Sequence, residues 1–317
     1  MRHPLVVILG PTAVGKTKLG VDIALRLNGE VISGDSMQVY KHMNIGTAKI
    51  DVSEMRGIPH HLIDIKEPDE PFSVAQFQKL AEKSIEQIAA RAKLPIIVGG
   101  TGLYIQAVID NYCFNEQEDV KGYREELIEI AKTKGNEYLH LRLAEVDPKA
   151  AKRIHVNDVK RITRALEYYH INGKSISENT FGYGSSEMKK YNTILIGLNM
   201  ERQKLYERIN RRVDQMFEDG FVDEVRALLL MGYSEEATAM QGLGYRQIIA
   251  YLKGEYGFDR VVELIKRDTR HFAKRQLTWF RRDTRIYWFE IDKYIEYQNL
   301  SNEIVTLVGR TIHNVVE

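Results

Sequence analysis

The sequence predicts an α/β protein with a parallel sheet core flanked by helices, interrupted by an inserted all-helical domain. Three observations predict it. Through the first hundred residues, short apolar runs of strand length alternate with amphipathic helical stretches, the grammar of a parallel sheet. The first of these runs ends in a glycine-rich turn that opens a helix. From about Asn115 the apolar runs stop, and a charged helical pattern continues to a polar, glycine-rich stretch, Ser177 to Ser186, after which a strand pattern returns. The expected division is therefore a core of residues 1–114 and 189–317 and a helical insertion of residues 115–188.

Taken in order, Leu5 to Leu9 is a strand ending at Gly10. Leu19, Ile23, Ala24 and Leu27 follow at helical spacing until Asn28 and Gly29 stop them. Val31 and Ile32 begin a second strand, which ends at Gly34 and Asp35. Ser73 with Gln76 three residues later makes a capping box, behind which Phe77, Leu80, Ala81, Ile85 and Ile88 share a helix face. Pro95 precedes the strand Ile96 to Val98, which terminates in Gly99, Gly100 and Thr101. Beyond the insertion, Thr193 to Leu198 reads as a strand. Leu205, Ile209, Val213 and Phe217 form one helix face, and Val222, Val225, Leu228 and Leu229 the next. A long helix from about Phe258 to Arg282 precedes a last strand, Ile286 to Ile291. No internal repeat or low-complexity tract is present.

With 317 residues, 44% hydrophobic and 28% charged, the composition is that of a folded globular chain rather than a disordered or coiled-coil one. Leu5 to Leu9 falls far short of the roughly 18 apolar residues that span a membrane. It also feeds a glycine loop rather than a cleavage site, so neither a membrane segment nor a signal peptide is expected. The single cysteine, Cys113, has no partner for an internal disulfide or a cysteine-based zinc site, in keeping with a reducing, cytoplasmic setting. From the net charge of +1 no polyanionic partner can be argued, but the distribution of charge is uneven. Lys152 to Lys174 holds six Lys/Arg against two Asp/Glu, Lys266 to Arg285 eight against two, and Glu116 to Glu129 six acidic against two basic. The basic segments are either solvated helix faces or one positive face for a polyanion.

The sharpest local signal is Gly10-Pro11-Thr12-Ala13-Val14-Gly15-Lys16-Thr17, a full match to G-x-x-x-x-G-K-[ST] between a strand and a helix. The core is thus a P-loop-type parallel sheet. Such a loop aims backbone amides and a helix dipole at phosphate oxygens. Lys16 would neutralise a terminal phosphate, and the Thr17 hydroxyl would hold Mg²⁺. The loop recognises a diphosphate without specifying what carries it. ATPases and GTPases of this type also need an apolar strand ending in an acidic residue. The strand Ile96 to Val98 ends in Gly-Gly-Thr instead, which argues against a motor or switch GTPase.

The strand that does end in a carboxylate delivers Asp35 to the ligand-binding edge of the sheet. There it has three open uses: ligating a metal through water, acting as a general base, or capping the segment that follows. Ser36 and Gln38 on the same loop either hydrogen-bond a substrate, a Gln amide being suited to an adenine edge, or serve turn chemistry. Thr101 reaches the same edge after Gly99 and Gly100. His60 and His61 beside Pro59 lack metal spacing and read as structural.

Seven blocks in order carry a more specific likeness: G-P-T-A-V-G-K-T from Gly10, D-S-M-Q-V-Y-K-H-M-N-I-G-T-A-K from Asp35, P-H-H-L-I-D-I from Pro59, V-G-G-T-G-L-Y from Val98, D-P-K-A-A-K-R-I-H-V-N-D-V-K-R-I-T-R-A-L-E from Asp147, M-Q-G-L-G-Y-R-Q from Met240 and A-K-R-Q-L-T-W-F-R from Ala273. Together they resemble the tRNA dimethylallyltransferases, also called tRNA isopentenyltransferases or IPP transferases, over about Ile8 to Arg282. The resemblance implies transfer of a dimethylallyl group from dimethylallyl diphosphate to N6 of the adenosine just 3′ of the anticodon, with Mg²⁺ and release of diphosphate. Its partner would be the anticodon stem-loop of tRNA, with no membrane, and the working form a monomer.

By the same resemblance, Gly10 to Thr17 corresponds to the pyrophosphate cradle, Lys16 to a contact on the leaving group and Thr17 to the metal ligand. Asp35 matches the base that takes the N6 proton, and Thr101 a residue on the same adenine. Arg212 matches an arginine on the pyrophosphate, with Arg211 one register away. For tRNA the resemblance implies Asp35, Ser36, Met37 and Gln38, Thr101, Arg124, then Lys160, Arg161, Ile162, Thr163 and Arg164, and Gln241, Gly242, Leu243, Gly244, Tyr245 and Arg246. Arg164 lies three and four residues beyond Arg161 and Lys160, so the three share a helix face suited to phosphates or to solvent. In Lys266 to Arg285, Phe272, Trp279 and Phe280 read as core and the arginines as a tRNA groove. Two departures, Ile50 and Val156 where the family commonly has proline, concern loop stiffness. The competing readings are a P-loop small-molecule or nucleotide kinase, and a tRNA-binding protein with a degenerate phosphate site.

Overall fold

The computed structural model describes residues 3–112, 122–178 and 190–313. Cys113, residues 116–121 of the acidic run and most of the stretch Ser177 to Ser186 lie outside them. Contacts divide the chain into two compact units, Met1–Asn111 with Lys189–Glu317, and Tyr112–Met188.

The larger unit is built on one sheet of six parallel strands: β1 (His3–Leu9), β2 (Gly29–Ser33), β3 (His60–His61), β4 (Leu94–Gly99), β5 (Tyr191–Asn199) and β6 (Tyr287–Glu290). Their order is β3-β2-β4-β1-β5-β6, with Val6 of β1 opposite Ile96 on one side and Ile194 on the other. The chain moves to one side of β1 before the insertion and to the other side after it. That makes β1 the switch point where a parallel sheet opens a crevice at the carboxyl ends of its strands.

Alternating strand residues fill two layers. Val6, Ile8, Ile96 and Ile194 pack against Leu19 and Ile23 of α1 (Lys16–Arg26) on one face of the sheet. On the other face Leu5, Val7 and Ile97 pack against α3 (Val74–Ala90) and α4 (Gly102–Ile109) through Phe77, Ile85, Ile105 and Val108. The short α2 (Val52–Met55) lies between β2 and β3. The capping box of α3 forms as the sequence indicates: the Gln76 amide donates to Ser73 Oγ at 3.2 Å and the Ser73 amide to Gln76 Oε1 at 2.9 Å.

In the smaller unit, α5 (Tyr123–Lys134), α6 (Asn136–Val146), α7 (Pro148–Ala151) and α8 (Val159–Asn172) enclose Leu127, Leu139, Leu143, Ile162 and Leu166. Buried Asp147 caps α7 by accepting the Ala150 amide at 2.9 Å and also accepts the Ser177 amide at 2.9 Å. Burial pushes its carboxyl up, but these bonds outweigh it and hold the group below the usual range.

After β5 come α9 (Arg202–Glu218), α10 (Phe221–Leu230), α11 (Tyr245–Leu252), α12 (Phe258–Phe280) and, after β6, α13 (Tyr297–His313). Leu205 and Ile209 of α9 join the sheet layer. Val213, Phe221, Val225, Tyr245, Val261 and Ile265 form a third core under Val39, Tyr40 and Met43. Several elements have no individual reading in the sequence, β3 and α13 among them. β3 is only two residues long, too short for a period. Helix α13 buries Leu300, Ile304 and Val308 at four-residue spacing against the α1 side; each such burial contributes about 1.5–3 kcal/mol.

Candidate active site

The carboxyl ends of β1, β2 and β4 deliver the three loops that the sequence singles out. The loop after β1 turns on glycines that other residues cannot replace without strain. Gly15 caps α1 with φ 102°, and at Gly10 (φ 145°) a Cβ would stand 2.5 Å from the Leu198 carbonyl oxygen. Buried Val14 anchors the loop in the core. The first turn of α1 carries no acidic residue, so its N-terminal dipole is left for an anion.

Lys16 folds over this loop and donates to the Pro11 carbonyl at 2.7 Å. From α9, Arg212 brings its guanidinium to 3.5 Å from Thr12 Oγ1, whereas Arg211 is exposed. Burial, and then the Arg212 cation, push the Lys16 ammonium down to about 7, with Asp35 opposing. Burial likewise lowers Arg212, and Asp35 again opposes. Lys16 and Arg212 are half-buried, and Asp35 is the carboxylate that opposes the lowering of both.

Asp35 Oδ1 accepts the Met37 amide at 2.8 Å, so it does cap its own loop, leaving Oδ2 for another partner. The Ser36 amide donates to Thr101 Oγ1 at 3.1 Å. Although Thr101 is the N-cap of α4, its side chain makes no capping bond and turns to Ser36 instead. Gln38 is occupied: Ser33 Oγ donates to its Oε1 at 2.9 Å, and its Nε2 donates to the Thr47 and Ala48 carbonyls at 3.4 Å. An adenine edge would have to exchange these bonds.

Three cavities meet here, and Arg212 lines all of them. The largest, about 910 Å³, opens beside Gly15, Lys16 and Thr17 and carries Lys18, Arg56 and Arg208. A small one of about 80 Å³ holds Lys16, Thr17, Asp35, Gln38 and His60. The third, about 200 Å³, has a polar end with Asp35, Ser36, Thr101 and Arg212 and an apolar wall including Val213, Met216, Phe221 and Leu243.

Several residues stand elsewhere than the sequence suggests. Phe272, read as core, is 36% exposed and lines both smaller cavities, because it sits on the face of α12 turned to the site; Phe280 is core as expected. His61 is structural, its Nε2 lying 2.7 Å from Glu30 Oε2. His60 is not purely so: its Nδ1 meets the Ile58 carbonyl at 2.8 Å while the ring lines the small cavity. Of the implied tRNA contacts, Lys160, Arg161, Arg164, Gln241 and Arg246 are exposed. Ile162 and Thr163 are buried, Ile162 within the insertion core, and cannot offer side chains to a surface ligand. Tyr245 is buried too, its hydroxyl donating to Glu224 at 2.7 Å. Arg124 forks onto Glu167, with Nε to Oε1 at 2.6 Å and Nη2 to Oε2 at 2.9 Å. Arg285 is held by Asp110 and Asp283 at 2.6 Å each.

Two side chains that sequence reasoning missed organise these loops. Glu224 of α10 accepts the amides of Asn44, Ile45 and Gly46 at 2.8, 2.7 and 3.1 Å. Gln276 of α12 accepts the Thr12 amide at 2.8 Å and donates to the Gly100 carbonyl at 2.9 Å. Gln276 lies in the block A-K-R-Q-L-T-W-F-R from Ala273, four residues after Phe272 on one helix face, but nothing in that block singles it out.

Comparison with known proteins agrees with this geometry. The IPP transferase family model matches residues 38–283. A tRNA dimethylallyltransferase of Thermoanaerobacter sp. (strain X514) is 52% identical over 306 residues, covering 96% of this chain and 97% of the relative. One from Carboxydothermus hydrogenoformans is 52% identical over 309 residues, 98% of each. Among solved structures, the full-length tRNA isopentenylpyrophosphate transferase of Bacillus halodurans has a TM-score of 0.75 at 45% identity, covering 99% of this chain and 98% of its own. A eukaryotic dimethylallyltransferase captured acting on tRNA has a TM-score of 0.82 at 30% identity, covering 98% and 80%. On sequence, fold and the loops gathered at the sheet edge, this chain belongs to the IPP transferase family.

Proposed function

We propose that the protein transfers a dimethylallyl group from dimethylallyl diphosphate to N6 of the adenosine 3′-adjacent to the anticodon of tRNA, releasing diphosphate. The observation that carries the reading is the pair of half-buried cations, Lys16 and Arg212, set over an amide loop with Asp35 beside them. The adenine N6 lone pair is delocalised into the ring, so the donor carbon must be made electrophilic. Lys16, Arg212 and the loop amides from Ala13 to Thr17 do this by stabilising charge that grows on the departing diphosphate. As the N6–C bond forms and the C–O bond breaks, the amine proton passes to Asp35 Oδ2. Thr101 orients the adenine, and the 200 Å³ cavity takes the prenyl group against its apolar wall. The target base, stacked in the anticodon loop, is flipped out to enter.

Mg²⁺ fits the donors present. Among the described residues no three His, Cys, Asp or Glu side chains gather into a cage. Thr17 and Asp35 line one small cavity, a hydroxyl and a carboxylate that leave most of a shell to diphosphate and water. When bound, the ion adds Lewis-acid stabilisation of the leaving diphosphate. The exposed Lys160, Arg161 and Arg164 of the insertion bind tRNA phosphates, together with Gln241, Arg246 and the Asp35-to-Gln38 loop. The working unit is proposed to be a monomer acting in the cytoplasm. No helix among the described residues is long and apolar enough to cross a membrane.

A kinase reading is not favoured, since β4 ends in Gly99-Gly100-Thr101 without the acid that organises metal and water. The test supplies purified protein with unmodified tRNA, Mg²⁺ and either labelled dimethylallyl diphosphate or labelled ATP. Label entering tRNA from the prenyl donor, with diphosphate released one for one, supports the proposal. ATP turnover without prenyl transfer refutes it.

A further inference from the structure

The loop holding the donor and the loop holding the acceptor are joined by one side chain. Gln276 is 7% exposed, and both ends of its carboxamide are in use: Oε1 takes the Thr12 amide and Nε2 gives to the Gly100 carbonyl. These bonds fix the orientation of the amide, because a flipped group would set donor against donor and acceptor against acceptor. Thr12 is the residue whose hydroxyl meets Arg212, and Gly100 immediately precedes Thr101. Gln276 itself is held from behind by α12, whose neighbouring Ala273 and Phe280 are core residues. The fit is close: a Cβ on Gly100 would lie 2.2 Å from Gln276 Nε2, with its next neighbours at 3.4 and 3.5 Å.

We propose that the Gln276 carboxamide is a positioning strut that fixes the separation of the diphosphate cradle and Thr101, and with it the reach of the acceptor amine onto the donor carbon. The inference rests on the site reading above. Gln276 lines the edge of the small cavity, but both ends of its carboxamide are taken by the two loops, and it acts through them. Its Thr12 bond also turns one amide of the phosphate loop away from the phosphate and toward the scaffold. Misplacement of reacting groups by about 1 Å costs on the order of 100-fold in rate even when both substrates still bind. Loss of the strut therefore falls on the chemical step rather than on affinity.

The geometry supplies its own double-mutant cycle. Gly100 has no left-handed φ, so alanine there is opposed by the Gln276 side chain rather than by the backbone. Single-turnover prenyl transfer is measured with donor saturating and enzyme in excess over tRNA, alongside affinity for inorganic diphosphate with Mg²⁺, in wild type, Gln276→Ala, Gly100→Ala and the double variant. Each single change is expected to slow the step by about 100-fold while diphosphate affinity stays within about threefold. The double variant is expected to be no slower than Gln276→Ala, because the clash partner is gone. Multiplicative losses in the double variant, or a Gln276→Ala rate within about twofold of wild type, overturn the proposal.

Should Gln276→Ala not fold, Gln276→Glu carries the test, since it keeps the acceptor for Thr12 and removes the donor to Gly100. A slowed step at preserved donor KM is expected, and a change confined to KM or to thermal stability overturns the strut. Thr101→Ala in the same assay separates the two readings. If it proves harmless, the assignment of Thr101 fails whatever Gln276 does.

Discussion

The cations of the two units differ in hydration. In the α/β unit, Lys16 and Arg212 are half-buried and held below their ordinary pKa values by burial, with Asp35 opposing. In the insertion, Lys160, Arg161 and Arg164 stand in water on α8, and Arg124 is already spent on Glu167. A partly dehydrated cation responds more strongly and locally to one small anion, because less solvent shares the field. Hydrated cations on a helix face respond weakly and additively to a polyanion, and salt competes with them. One chain thus carries two kinds of positive charge, which the proposed function assigns to a diphosphate and to a nucleic acid backbone.

The sharpest way to break that comparison is Asp35→Ala, which removes the base but no cation. Turnover is expected to fall about 10³-fold while tRNA affinity, measured by filter binding, changes little. Equal loss of both removes Asp35 as the base. Next comes Lys16→Met, expected to lower kcat/KM for the prenyl donor by about 10² to 10³ without altering the salt dependence of tRNA binding.

A pH series sharpens the same point. In the free protein Lys16 is pushed down to about 7, and a bound diphosphate restores its ordinary basicity, so binding takes up a proton. Diphosphate affinity is expected to decline by up to about tenfold per pH unit above 7, with a buffer-dependent binding enthalpy that Lys16→Met abolishes. An affinity flat from pH 7 to 9 contradicts the partly dehydrated state of this lysine. The smallest effects belong to Lys160→Ala and Arg164→Ala. Each should weaken tRNA binding severalfold and reduce the slope of log K against log salt by about 0.7–0.9, with the single-turnover rate at saturating tRNA unchanged.

How much of this was legible follows from range. The phosphate loop, Asp35 and Thr101 are local signals, each a strand end followed by a turn, and all three lie at the sheet edge where the strand grammar puts them. The insertion was legible as a change of period near Asn115. Gln276 was not, because its partners are 264 and 176 residues away. No periodicity encodes a single polar pairing across a fold. Glu224 escaped for the same reason, its three amides lying 178 to 180 residues upstream. The buried state of Ile162, Thr163 and Tyr245 was hidden by the blocks themselves, since a contiguous motif on a helix necessarily includes residues that face inward.

The central claim is that the amide loop after β1 receives the diphosphate of a prenyl donor. A crystal grown with Mg²⁺, a non-reacting dimethylallyl diphosphate analogue and equimolar ATP tests it most directly. Density is predicted for a diphosphate on Gly10 to Thr17, touching Lys16 and Arg212, with the five-carbon tail beside Asp35 and Thr101. An adenine nucleotide on that loop, with no isoprenoid in the adjoining cavity, would contradict the account.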